Sequence, residues 1–156
     1  MSSNQLQFLY GTSNFYRFRD KAGMIFADKT NYIEQLEKIG NNNNFRYILL
    51  RPPHFGKSTF LNMLCIYYDI HTADCFNSLF GPLYIGKNPT SSHNKHLVLK
   101  FDLSNIRLSG SLDKMEKSFN NEINKVLNRF INKYKKELGD PDYNVIYDDP
   151  KHTIEY

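Results

Sequence analysis

Tryptophan is absent from this chain of 156 residues, cysteine occurs only twice, and no apolar run reaches the length of a membrane span. Each absence excludes something. Cys65 and Cys75 are too few for a disulfide framework or a zinc site of their own. His71 stands four residues before Cys75, but one mixed pair is a weak ligand set, and two thiols in a reducing compartment is the plainer reading. His93 and His96 have a metal-like spacing without a carboxylate or thiol close by in sequence, so "KNPTSSHNKH" is expected to be an exposed loop. The opening "MSSNQLQFLYGTSNFYRF" has no run long enough for a signal peptide. With no membrane span, the expectation is a soluble, intracellular, cytoplasmic protein. Internal repeats and low-complexity linkers are also missing, which leaves a single domain over residues 1–156.

Charge of one sign is not in large excess either. Twenty Lys and Arg against 16 Asp and Glu give +4, and the lysines from Lys114 to Lys136 alternate with Glu116, Glu122 and Glu137. That is the pattern of a solvated helix face, so nucleic acid is not indicated as a partner. The hydrophobic fraction of 40% is enough for a packed core. The asparagine run from Asn41 to Asn44 carries no functional weight.

Several elements follow from periodicity. Ile33, Leu36 and Ile39 recur at helical spacing behind the polar Asp28–Thr30, with Asn31 and Glu34 as a capping box or Thr30 as the cap. "FRYILL", Phe45 to Leu50, reads as a buried strand closed by Arg51-Pro52-Pro53. From Lys57 the period changes, and Phe60, Leu61, Leu64, Cys65 and Tyr68 form the stripe of a helix running to about Ile70. A short helix ends at Gly81 and Pro82, and "HLVLKFDLS" from His96 to Ser104 reads as a second strand. A long amphipathic helix over 113–138 carries Leu112, Met115, Phe119, Ile123, Val126, Phe130, Tyr134 and Leu138, with Asp113 and Glu116 as a capping box; it is a candidate surface for a protein partner or self-association.

The chemistry lies between the first strand and its helix. "RPPHFGKST" ends like the phosphate-binding pattern GxxxxGK[S/T] but begins with Arg51 where the pattern has glycine. The N–H groups that cradle a phosphate belong mainly to the later positions, here His54, Phe55, Gly56, Lys57, Ser58 and Thr59, reinforced by the positive end of the helix that follows. Pro52 and Pro53 precede them, so their missing N–H groups remove no such contact. Gly56 permits a backbone conformation closed to other residues, Lys57 reaches the β- and γ-phosphates, and the Ser58 hydroxyl is a Mg²⁺ ligand.

"RPPHFGKSTFLNML" resembles the loop of the AAA-ATPase-like family, P-loop proteins allied to the STAND class, whose loop reads RPRRFGKS. "YGTSNFYRFRDKAGMIFADKTNYIEQL" is similar to the family's opening, placing Gly11, Phe15, Asp28, Lys29, Thr30 and Ile33 in its pattern. "SLFGPLYIG" and "HLVLKFDLS" resemble its next two segments, so the match covers residues 10–106. The resemblance implies the three-layer α/β/α fold of P-loop NTPases, binding of ATP with Mg²⁺, and accessory roles for Arg51, Asp28, Lys29 and Thr30.

Departures from the family pattern fall at two places. Pro53 and His54 replace its two loop arginines, and a histidine carries a positive charge only well below neutral pH. The acidic strand that holds Mg²⁺ and activates water, "LIDEYD" in the family, has no counterpart by Tyr156; Asp102 in "LVLKFD" is a poor substitute and reads as structural. The expectation is an α/β domain present only in its N-terminal part, binding nucleotide without efficient hydrolysis. In the resembling topology the two strands are not neighbours, which leaves each without its proper partner. The alternative is a degenerate interaction module that binds nucleotide weakly or not at all.

Overall fold

The structure, a computed structural model, describes residues 13–19, 26–40, 46–106 and 109–139. The chain falls into two compact units, Met1–His96 and Leu97–Tyr156. Gly11 and the tail after Gly139 lie outside the described residues.

The first unit is helical. It contains α1 (Phe15–Arg19), α2 (Asn31–Ile39), α3 (Lys57–Tyr68), a 3₁₀ segment (Ile70–Cys75), α4 (Phe76–Phe80) and α5 (Tyr84–Lys87). Its core is aromatic. Phe15 of α1 stacks on Phe80 of α4 with ring centroids 5.1 Å apart, and Tyr67 of α3 meets Phe80 edge-on at 5.4 Å. Ile33, Met63, Ile66, Phe76, Leu79, Leu83 and Ile85 complete the cluster. The Phe15 N–H donates to Asn62 Oδ1 at 3.0 Å, which fixes the start of α1 on α3.

The sequence pattern set the inward face of α3 at Phe60, Leu61, Leu64, Cys65 and Tyr68, yet Met63, Ile66 and Tyr67 are the buried residues and Leu61 is exposed. A helix that is apolar nearly all round does not announce its inner face through periodicity. Packing against α1 and against Phe76 and Phe80 of α4 decides it.

The expected three-layer α/β/α fold is overturned: among the described residues there is no strand and no sheet. Residues 46–50 and 97–103 carry no ladder, and the one bridge is an isolated parallel pair between Asp69 and His96. Within each segment the β-branched and aromatic composition that predicted a strand is real, but composition supplies no partner for the peptide groups. A segment with nothing to pair with remains single and hydrated. Ile48 and Leu50 are accordingly among the most exposed apolar side chains.

In the second unit α6 (Leu112–Lys133) continues after a break at Tyr134 into α7 (Lys135–Leu138). Ile123 and Leu127 are buried, as is Tyr134, whose hydroxyl accepts the Val98 N–H at 3.0 Å. Leu112 and Phe119 of the expected stripe stay exposed. Neither capping box forms: the N-cap residues Thr30 and Ser111 make no side-chain cap bond. Glu34 instead pairs with Lys38 and accepts the Tyr84 hydroxyl, and the Lys38 bond holds its carboxyl below the usual range.

Candidate functional site

The loop after residue 50 turns on two left-handed residues, His54 at φ 65° and Gly56 at φ 75°. A non-glycine residue there is uncommon, although histidine is among the side chains enriched in it. Gly56 is the N-cap of α3 and offers no side chain to cap it; the helix begins with the Phe60 N–H donating to the Gly56 carbonyl at 2.8 Å. The first amides of a helix have no intrahelical partner, so the start of α3 presents donors and the positive end of its dipole to the loop.

The Arg-Pro-Pro half of the loop has a part in this geometry. Lys57 Nζ folds back and donates to the carbonyls of Arg51 and Pro52, at 2.7 and 2.8 Å. Proline lacks an N–H but keeps its carbonyl. The two carbonyls form a shelf that holds the ammonium across the loop.

A cleft of about 640 Å³ opens beside the loop. Its lining includes the cations Lys29, Arg51 and Lys57 and the imidazole of His54, and Phe55, Gly56 and Thr59 line it with them. Tyr32, Gln35, Leu36 and Ile39 of α2 form one wall, and Phe60 and Met63 of α3 lie on the other side of the loop residues in sequence. Among the described residues, no carboxylate lines it. Ser58 is exposed on the first turn of α3 and does not line the cleft. The α2 wall escaped the sequence reading, although Tyr32, Gln35, Leu36 and Ile39 stand at i, i+3, i+4 and i+7, the spacing of one helix face.

The Asp28-Lys29-Thr30 segment divides its labour by alternation. Asp28 Oδ1 accepts the Thr30 N–H and hydroxyl at 2.9 and 2.6 Å, and its other oxygen accepts the Tyr84 N–H at 2.8 Å. The Thr30 hydroxyl accepts the Ile85 N–H at 3.1 Å. These are first-turn amides of α5, so Asp28 and Thr30 cap that helix from a distant part of the chain. Lys29, between them, lines the cleft.

α2 and α3 are braced by a polar network. Glu37 Oε1 accepts the Tyr68 hydroxyl at 3.0 Å and the Thr90 hydroxyl at 2.7 Å, while Thr90 N–H donates to the Tyr67 hydroxyl at 2.9 Å. Burial, together with the Glu37 carboxylate, pushes the Tyr68 phenol far above its ordinary range, so it stays a donor. Tyr47 adds a hydroxyl bond to the Leu36 carbonyl.

The remaining sequence candidates do not converge. His93 packs on Phe76 at 4.8 Å with Nδ1 against the Thr90 carbonyl, while His96 meets Tyr68 edge-on. Cys75 is exposed. Asp102 accepts the Ser104 N–H, and its hydrogen bonds to Ser104 hold its carboxyl below the ordinary range. Among the described residues, no three His, Cys, Asp or Glu side chains gather as a metal site, and no helix is long and apolar enough to cross a membrane.

A glycine-turned loop thus runs into a helix without a side-chain cap, beside a cleft whose charged residues, among those described, are basic. The chain belongs to the AAA-ATPase-like family, described as Predicted AAA-ATPase, whose model matches residues 9–154. No curated protein and no solved structure matches it.

Proposed function

We propose that this chain binds ATP with Mg²⁺ through the loop Arg51–Thr59. The observation that carries the reading is the convergence of Lys29, Arg51, His54 and Lys57 on one cleft beside the start of α3, with no carboxylate in the lining among the described residues. Left-handed backbone at His54 and Gly56 supports the reading, because left-handed residues recur in the backbone concavities that hold anions. Lys57 leaves its carbonyl shelf for the β- and γ-phosphates. Lys29 is the second cation on the phosphates, held in place because Asp28 and Thr30 are anchored to α5.

The residues fit a Mg²⁺ that arrives on the nucleotide. Such an ion would keep several waters and take only one or two protein oxygens, and the Ser58 hydroxyl, exposed on the first turn of α3 beside the cleft-lining Lys57 and Thr59, would be one. When bound, the ion neutralises phosphate charge. An intracellular setting, where ATP is plentiful, goes with this reading.

Thermal melting tests it. A ligand that binds only the folded chain raises the melting temperature, so Mg²⁺ with ATP should raise it for the natural sequence and leave Lys57→Ala unmoved. An equal rise in both would overturn the assignment. A second reading, an interaction module working through α6, is favoured by the apolar groove of Leu103, Ile106, Leu112, Met115 and Phe119 in the second unit. Its mark would be no ATP response in either protein.

A further inference from the structure

We propose that the His54 side chain takes up a proton when the cleft fills, so that the site holds a polyphosphate more tightly as pH falls from about 8 to about 6. The inference rests on the phosphate-site reading above and adds a regulation to it.

His54 lines the cleft and is exposed, so its ring meets solvent. In sequence it stands midway between Arg51 and Lys57, on the left-handed turn of the loop. Among the described residues, the titratable side chains that line the cleft with it are Lys29 just before α2, Tyr32 of α2, Arg51 of the loop and Lys57 at the start of α3. Lysine and arginine keep their charge between about pH 6 and 8, and a tyrosine phenol stays neutral. Histidine is the side chain whose charge changes there. The three cations therefore supply a constant attraction for an anion, and the imidazole supplies the part that varies.

Among the described residues no carboxylate lines the cleft, so the negative charge that would hold a proton on this ring comes with the ligand. A polyphosphate brings several such charges, and an opposite charge close by favours the protonated imidazole. The proton comes from solvent and stays on a ring nitrogen, which then donates to a phosphate oxygen in a charge-assisted bond. Linkage fixes the direction. The gain in affinity is complete where the imidazole is already protonated in the empty cleft, and it is lost as pH rises past the point at which the bound polyphosphate still holds the proton.

The test is titration calorimetry of Mg²⁺ with ATP against the natural chain and His54→Asn, at about pH 6, 7 and 8 and in two buffers of different protonation enthalpy. Asparagine shares histidine's tolerance of left-handed backbone and does not titrate. The same ligand on both proteins cancels the ligand's own protonation. From about pH 8 to about 6 the natural chain should gain about tenfold in affinity beyond any gain in His54→Asn. At about pH 7 the buffer pair should show the natural chain taking up part of a proton on binding. No proton uptake by the natural chain, with ATP still bound, would overturn this proposal and spare the phosphate site. So would the same pH dependence in both proteins, or a His54→Asn loss equal at every pH, which would make the ring a contact independent of its charge. Failure of the natural chain to bind ATP at any of these pH values would overturn the phosphate site, and this inference with it.

Discussion

Tyr47, Ile48, Leu49 and Leu50 are large hydrophobic residues that stand exposed, Ile48 at 83%, whereas Asp28, Lys29 and Thr30 are polar and end in a threonine with no exposed surface. The exposed apolar run and the buried Thr30 both depart from the usual relation between polarity and burial, and the reason is hydrogen bonding. The Thr30 hydroxyl accepts the Ile85 N–H and donates to Asp28, so burying Thr30 leaves little unpaired, while Asp28, which accepts the Tyr84 N–H, stays exposed. Residues 46–50 have no ladder, and all five are exposed, where water can meet peptide groups that no strand pairs. At these two places, partners for polar groups outweigh side-chain hydropathy, whereas the core of the first unit is apolar.

The contrast can be broken at its strongest point first. Phe80 is fully buried among Phe15, Tyr67 and Phe76, and Phe80→Ala should destabilise the fold by about 3–5 kcal/mol, read by urea unfolding. Next comes Thr30→Val, which keeps shape but strips the acceptor from the Ile85 N–H and the donor from Asp28. A loss of about 1–3 kcal/mol is expected; no change in the melting temperature would show that the hydroxyl is not what holds Thr30 inside. Gly56→Ala should cost about 1 kcal/mol through backbone conformation alone, since a Cβ there meets nothing within 4 Å. Smallest is Ile48→Ser, expected within about 0.5 kcal/mol of the natural chain. A large loss at Ile48 would mean that residues 46–50 are packed after all.

The legible and illegible parts of the site separate along the same line. The helix after Lys57, the helix ending at Ile39 and the loop between Arg51 and Thr59 could be read because helical period and loop chemistry are local. That no sheet forms among the described residues could not be read, because "FRYILL" and "HLVLKFDLS" encode a preference for extended backbone but not the neighbour that would make a strand of it. The capping box of Asn31 and Glu34 failed for a related reason: Glu34 found Lys38 and Tyr84. The roles within Asp28-Lys29-Thr30 were hidden because the amides they cap lie more than fifty residues away in sequence. The α2 wall was present as a helical face all along; only the cleft beside it gives that face a use.

The central claim is that the cations around the loop hold phosphate. Titration of the natural chain, Lys57→Ala and Lys29→Ala with Mg²⁺ and ATP tests it most directly. Removing the Lys57 charge should weaken binding about a hundredfold, and Lys29→Ala about tenfold, with the melting temperatures of the free proteins unchanged. Equal affinity in all three proteins would contradict it.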